Sequence, residues 1–211
     1  MRSDNSLFSF AALTALFSRA SKILSLGFAL AVATALLPVA ASAQQNPIVR
    51  IETNKGSIRV ELWADRAPIS AANFLRYTDA QFYDGLIFHR VIDGFMIQGG
   101  GFDESMVQKS TFEQIKNEAS ASTPNKRGTL AMARTNVVDS ATSQFFINLV
   151  DNDFLNHTDV TPRGFGYAVF GEVIEGLDVV DEIAKVATGN ARGHQNVPVD
   201  PVVMISVQRE D

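Results

Sequence analysis

The run Phe88-His89-Arg90-Val91-Ile92-Asp93-Gly94-Phe95-Met96-Ile97-Gln98-Gly99-Gly100 joins two short apolar segments through a tight turn, and it constrains the fold more than any other stretch. Strand side chains alternate between faces, so Phe88, Arg90 and Ile92 share one face of the first segment, and Met96 and Gln98 share one face of the second. Turn length decides whether those faces coincide. A two-residue turn at Asp93-Gly94 sets Arg90 opposite Ile97 and sends Gln98 to the other side of the sheet. A three-residue loop, Asp93-Gly94-Phe95 with Gly94 at positive φ, sets Arg90 opposite Gln98 and Ile92 opposite Met96. The second register is expected, and it places one arginine and one glutamine together among large apolar side chains.

Further strand signals are frequent. Ile48–Thr53, Ser57–Leu62, Leu86–Val91, Met96–Gly99, Leu130–Ala133, Phe145–Leu149, Val169–Val173 and Val202–Gln208 are apolar or β-branched and bounded by glycine, proline or polar residues. Asn54-Lys55-Gly56 reads as the first hairpin loop. Two segments read as helices. Residues 68–79 place Pro68 in the first turn after Asp65, a candidate cap, with Ile69, Ala72 and Leu75 along one stripe. Residues 177–185 follow Gly176 and repeat the pattern with Leu177, Val180, Ile183 and Ala184. Many short strands with two helices predict an antiparallel sandwich or a closed barrel whose openings the helices cover. Residues 102–127 and 187–200 are expected as loops.

Residues 1–43 differ from the remainder. Arg19 and Lys22 precede an apolar run from Ile23 to Ala41, and Ala41-Ser42-Ala43 has the small-x-small pattern of an export cleavage site. Cleavage after Ala43, giving a periplasmic protein of residues 44–211 with no membrane attachment, is expected over retention as an anchor helix. Removing the three basic residues and one acidic residue of that segment leaves 15 basic and 22 acidic, net −7. Such a charge disfavours nucleic acid and anionic lipid as partners. With no cysteine, neither disulfides nor thiol chemistry operates. The length suits one domain, and a monomer is expected.

The three histidines, His89, His157 and His194, lack metal-ligand spacing, and the chain has no HExxH, GxSxG or Walker-type run, so no metal is expected. Gly99-Gly100-Gly101 is not followed by the Lys and Ser/Thr of a phosphate loop and reads as a strand end making a sharp turn.

Four motifs in order carry a family resemblance: the Phe88–Gly100 run, Arg127-Gly128-Thr129-Leu130-Ala131-Met132-Ala133-Arg134, Ser143-Gln144-Phe145-Phe146-Ile147-Asn148, and Gly166-Tyr167-Ala168-Val169-Phe170-Gly171. Together they resemble the cyclophilin-type peptidyl-prolyl cis–trans isomerases over residues 48–209, and with the export segment they are most similar to the exported Gram-negative members. The resemblance implies an all-β fold with two helices, a closed eight-stranded antiparallel barrel capped by both, with the substrate groove on its outer face. It also implies no cofactor, and proline-containing flexible polypeptides as partners. By the same resemblance Arg90 is the catalytic arginine, supported by Gln98. Phe95, Met96, Phe146 and Leu155 form the proline pocket, Gln144 is a polar contact, and the backbone of Ala133 and Arg134 holds the substrate. Phe154 stands where eukaryotic members carry a tryptophan, and Tyr167 stands at their pocket histidine. Losing the indole N–H predicts weak binding of cyclosporin-type ligands. Residues 156–165 form a longer loop than in eukaryotic members, and Arg134 stands where asparagine is common.

Those residue types suit the chemistry. An X–Pro bond turns slowly because amide resonance is lost on the way, a barrier of roughly 18–20 kcal/mol. The twisted prolyl nitrogen regains a basic lone pair, so a fixed donor aimed at it binds the twisted state better than either planar state. A guanidinium is such a donor, charged at any physiological pH and rigid. His89 has opposite strand parity to Arg90 and reads as structural rather than as a general base. Two rival readings remain: a proline-segment-binding chaperone or scaffold with incidental turnover, and a carrier that uses the barrel lumen.

Overall fold

The computed structural model describes residues 45–210, so the expected export segment 1–43 lies outside the described residues. The chain opens with the hairpin β1 (Ile48–Thr53) and β2 (Gly56–Leu62). Thr53 already pairs with Gly56, whose φ is +138°, so the connection is Asn54-Lys55, one residue shorter than expected.

Helix α1 (Pro68–Asp79) follows with Pro68 in its first turn. Its capping differs from expectation, because the N-cap is Ala67 and no side chain of the local sequence caps it. The carboxylate of Glu118, 48 residues away, does so instead: it accepts from the backbone N–H groups of Ile69 and Ser70, at 2.9 and 2.7 Å, and from the Ser70 hydroxyl at 2.8 Å. An anion there satisfies orphan donors and complements the helix dipole. The buried stripe also differs: Ala71, Phe74, Leu75 and Thr78 face the core, while Ile69 is 43% exposed and Ala72 is exposed. The buried stripe carries the aromatic ring of Phe74, which packs against Tyr83, Phe145 and Phe170 in the core.

The remaining elements are β3 (Arg90–Ile92), β4 (Met96–Gly99), β5 (Thr129–Met132), β6 (Phe145–Asn148), a 3-10 turn at Asp153–Leu155, β7 (Val169–Glu175), α2 (Leu177–Ala184), β8 (Thr188–Ala191), β9 (His194–Pro198) and β10 (Met204–Glu210). Eight strands form one antiparallel sheet in the order β10-β1-β2-β7-β5-β6-β4-β3. Its two ends meet just outside the regular strands, where Ile87 bridges Val203, the Phe88 N–H donates to Val202 O at 2.9 Å and the Met204 N–H donates to Leu86 O at 2.8 Å. The expected strand Leu86–Val91 is therefore divided. Residues 86–88 serve the closure, and β3 begins at Arg90, where the chain changes partner to β4.

Residues 187–200, expected as a loop, instead form the separate hairpin β8–β9. Ala191 pairs with His194 across Arg192 and Gly193, both at positive φ (47° and 83°), as in a type I′ turn. Thr188, Gly189, Asn190, His194 and Gln195 are all exposed, so no apolar alternation marks these strands in the sequence. Ala191 and Val197 seat the hairpin on Ile87, Phe102 and Met106.

Inward positions Val91, Ile97, Leu130, Phe145 and Ile147 are buried in one cluster with Phe74, Tyr83 and Phe170. Phe145 meets Phe74 edge-on at 5.2 Å and Tyr83 at 5.7 Å. Each such side chain contributes about 1.5–3 kcal/mol through burial. The carrier reading fails here, because side chains fill the barrel interior.

Candidate active site

The β3–β4 turn has the three-residue form. Gly94 takes φ +68°, the Phe95 N–H donates to Ile92 O at 3.1 Å, and Arg90 pairs with Gln98, Val91 with Ile97 and Ile92 with Met96. Register then extends the row across the sheet. Gln98 pairs with Phe146, Phe146 with Ala131 and Ala131 with Val169, so one line of outward positions runs from the arginine to an apolar patch. Phe145 and Phe146 divide as strand alternation requires, the first into the core and the second into the outer cluster with Met96, Ala131, Leu155 and Val169.

A pocket of about 140 Å³ opens on this face, lined by Arg90, Phe95, Met96, Gln98, Ala133, Arg134, Phe146, Leu155 and Tyr167. Drug-sized ligands occupy roughly 300–1,000 Å³, so this space suits a small ring. Its walls are aromatic: Tyr167 meets Phe146 edge-on at 5.7 Å, and the Arg90 guanidinium lies 5.9 Å from the Phe95 ring centre. Arg90 Nη1 donates to Gln98 Oε1 at 3.4 Å, and Gln98 Nε2 donates to Gln144 Oε1 at 2.9 Å. At 3.4 Å the first contact orients the guanidinium without neutralising it.

Two expected residues stand apart from the pocket lining. Gln144 is one hydrogen bond further along the polar row, and its backbone oxygen accepts from the Ala133 N–H at 2.9 Å. Phe154 is 73% exposed at the rim, its ring 5.5 Å from Phe95. Arg134 contributes to the wall, but its side chain is fully engaged elsewhere: Nε donates to Gly166 O, Nη1 to Thr135 O and Nη2 to Pro162 O, at 2.9, 2.9 and 2.7 Å. It holds the long 156–165 loop against the pocket, with its guanidinium 4.8 Å from the Tyr167 ring.

Sequence reasoning missed the groups that fix the walls. Trp63 packs in the same outer cluster. The Phe95 carbonyl accepts from the Leu149 N–H at 3.0 Å and from Asn152 Nδ2 at 2.9 Å, Asn152 also donates to Asn148 Oδ1 at 2.8 Å, and Asn125 Nδ2 donates to Leu155 O at 3.2 Å. These three asparagines are buried, and Asn125 lies 23 residues from Asn148, so no local spacing rule reveals the network. The Tyr83 hydroxyl donates to Ser143 O at 2.9 Å, and the Ser143 hydroxyl donates to Gly100 O at 2.6 Å, which fixes the start of β6. Gly101 lies so close to Gln144 that a Cβ there would meet its side chain at 2.6 Å, a close approach rather than a phosphate loop.

His89 is buried against Phe102, ring centres 4.6 Å apart, and burial lowers its pKa to about 4. It is neutral at neutral pH and adds no second cation beside Arg90. Among the described residues no group of three or more His, Asp or Glu side chains could hold a metal ion, and no helix is long and apolar enough to cross a membrane.

The family model described as cyclophilin type peptidyl-prolyl cis-trans isomerase/CLD matches residues 48–209. A peptidyl-prolyl cis-trans isomerase of Acinetobacter baylyi is 58% identical over 174 residues, covering 82% of this chain and 90% of that protein. Peptidyl-prolyl cis-trans isomerase B of Escherichia coli is 55% identical over 160 residues, covering 76% and 98%. Among solved structures, a Cryptosporidium parvum cyclophilin type peptidyl-prolyl cis-trans isomerase, crystallised in the presence of the dipeptide Ala-Pro, superposes with a TM-score of 0.64 at 25% identity, covering 78% of this chain and 99% of that one. The match spans the whole described barrel and every strand of the Arg90 row, and the chain belongs to the cyclophilin-type peptidyl-prolyl cis–trans isomerases.

Proposed function

We propose that this chain accelerates rotation about X–Pro bonds in exported, incompletely folded polypeptides, with Arg90 as donor to the prolyl nitrogen. The observation that carries the reading is the sharing of one small pocket by the Arg90 guanidinium and the apolar side chains of Phe95, Met96, Phe146 and Leu155. A ring seated among them brings its nitrogen to the edge where the cation lies. A hydrogen bond from a charged group is worth roughly 1.5–3 kcal/mol, about ten- to a hundred-fold in rate. The rest of the acceleration comes from gripping the ring while the preceding carbonyl swings, and from taking the amide out of water, where its planar, charge-separated form is favoured. No covalent bond breaks, so the mechanism requires no cofactor.

Export is supported by Arg19, Lys22, the apolar run to Ala41 and the Ala41-Ser42-Ala43 pattern. With Phe154 in place of an indole at the rim, cyclosporin-type ligands bind weakly. The chaperone reading differs in stoichiometry. In a proline-limited refolding assay, acceleration at enzyme levels far below the client supports isomerisation, and an effect that requires equimolar protein supports binding alone.

A further inference from the structure

Three hollows meet along the row Arg90, Gln98, Gln144. One is the pocket already described, and a second, of about 340 Å³, borders Ala133 and Arg134. The third, of about 440 Å³, shares Arg90, Gln98 and Gln144 and adds His89, Phe102 and the β8–β9 tip from Gly193 to Asn196. The mechanism above makes no use of it.

This hollow is built from fixed parts. The Arg192-Gly193 turn is tight, and Asn196 is held at φ +60°, a conformation that asparagine tolerates better than most residues. Val197 and Ala191 anchor the hairpin to the barrel beside β3. The rings of His89, Phe102 and His194 follow one another at 4.6 and 5.0 Å. Its chemistry is also distinctive. No carboxylate is among its nine lining residues, which include a guanidinium, two imidazoles and four side-chain amides, in a chain whose net charge is −5.

We infer that this hollow receives a substrate residue flanking the X–Pro unit and favours an acidic side chain there, with His194 and Asn196 setting the preference. The inference rests on the isomerase reading. Arg90 borders both spaces, and one residue of extended chain spans roughly 3.3–3.6 Å, so a peptide with its proline in the small pocket reaches this hollow within one or two residues. A carboxylate entering it meets a cation and amide N–H groups, whereas an apolar side chain leaves them unpaired.

Peptides sharing an Ala-Pro unit, with Glu or Leu at each of the two positions before and after it, test this by exchange NMR without a coupling protease. For wild-type protein, kcat/KM is expected to favour Glu over Leu by about five- to tenfold at one of these positions. In the double variant His194→Ala/Asn196→Gly that ratio falls toward one; His194 is exposed, and glycine accepts the backbone conformation of residue 196. Equal kcat/KM for Glu and Leu at all positions overturns the subsite, as does an unchanged ratio in the variant. Failure to isomerise any of the peptides would instead overturn the isomerase reading itself.

Discussion

Gln98 lies directly across the β3–β4 hairpin from Arg90, and its amide is oriented at both ends, with Oε1 accepting from Arg90 Nη1 at 3.4 Å and Nε2 donating to Gln144 Oε1 at 2.9 Å. The arginine is thus aimed by a side chain that is itself aimed, and the mechanism proposed above predicts that each link carries less weight than the one before it.

Gln98→Ala should lower kcat about tenfold with a smaller change in KM, because the guanidinium loses its orienting partner while the apolar pocket persists. Gln144→Ala should cost less, since Gln144 reaches Arg90 only through Gln98. Steady-state kinetics on a proline-containing peptide measures both, and an equal loss in the two variants contradicts the ordering.

Adjacent phenylalanines should separate stability from activity. Phe145→Ala removes a ring from the barrel core and should destabilise the chain by about 3–5 kcal/mol. Phe146→Ala opens the pocket wall, and should destabilise less while raising KM more. Urea unfolding alongside kinetics distinguishes them.

Glu118→Ala should destabilise the fold by about 1–2 kcal/mol through loss of a helix cap, with kcat unchanged where the protein is folded. Thermal unfolding of Glu118→Ala against Glu118→Gln, which keeps an acceptor but no charge, should show partial rescue in the second.

The fold was legible where alternation ran through one unbroken strand; Phe88, expected on the face of Arg90 and Ile92, instead fills the inner core, because the regular strand begins only at Arg90. The Arg90–Gln98 register followed from parity and one glycine, and the division of Phe145 from Phe146 followed from strand geometry alone. The β8–β9 hairpin escaped because both its strands are largely solvent-exposed and carry no apolar period. Glu118 escaped because a cap supplied from 48 residues away leaves no local signature. Most of the pocket lining was legible only through the family's motifs, whereas the asparagines that brace Phe95 and Leu155 are held together by tertiary contacts that neither motif nor spacing encodes. Arg134 lines the pocket, and its service as a strut for the 156–165 loop depends on carbonyls distant in sequence.

Stability should fall with acid in a way that traces to His89. Burial lowers its folded pKa to about 4 from an ordinary 6.5, so between those values the unfolded chain takes up a proton that the folded chain refuses. Its effect is absent above pH 6.5, grows as pH falls, and saturates below pH 4 at about 3 kcal/mol of lost stability. His89→Phe should lose about 2 kcal/mol less than wild type between pH 7 and 4.5 in urea titrations. Identical losses would contradict the assignment.

Substitution at Arg90 tests the central claim most directly. Proline-limited refolding of a client, catalysed by Arg90→Ala protein verified as folded by its unfolding midpoint, should be slower than with wild type by about ten- to a hundred-fold, the worth of one charge-assisted hydrogen bond made to the twisted nitrogen. Wild-type kcat/KM in the folded variant would contradict the account.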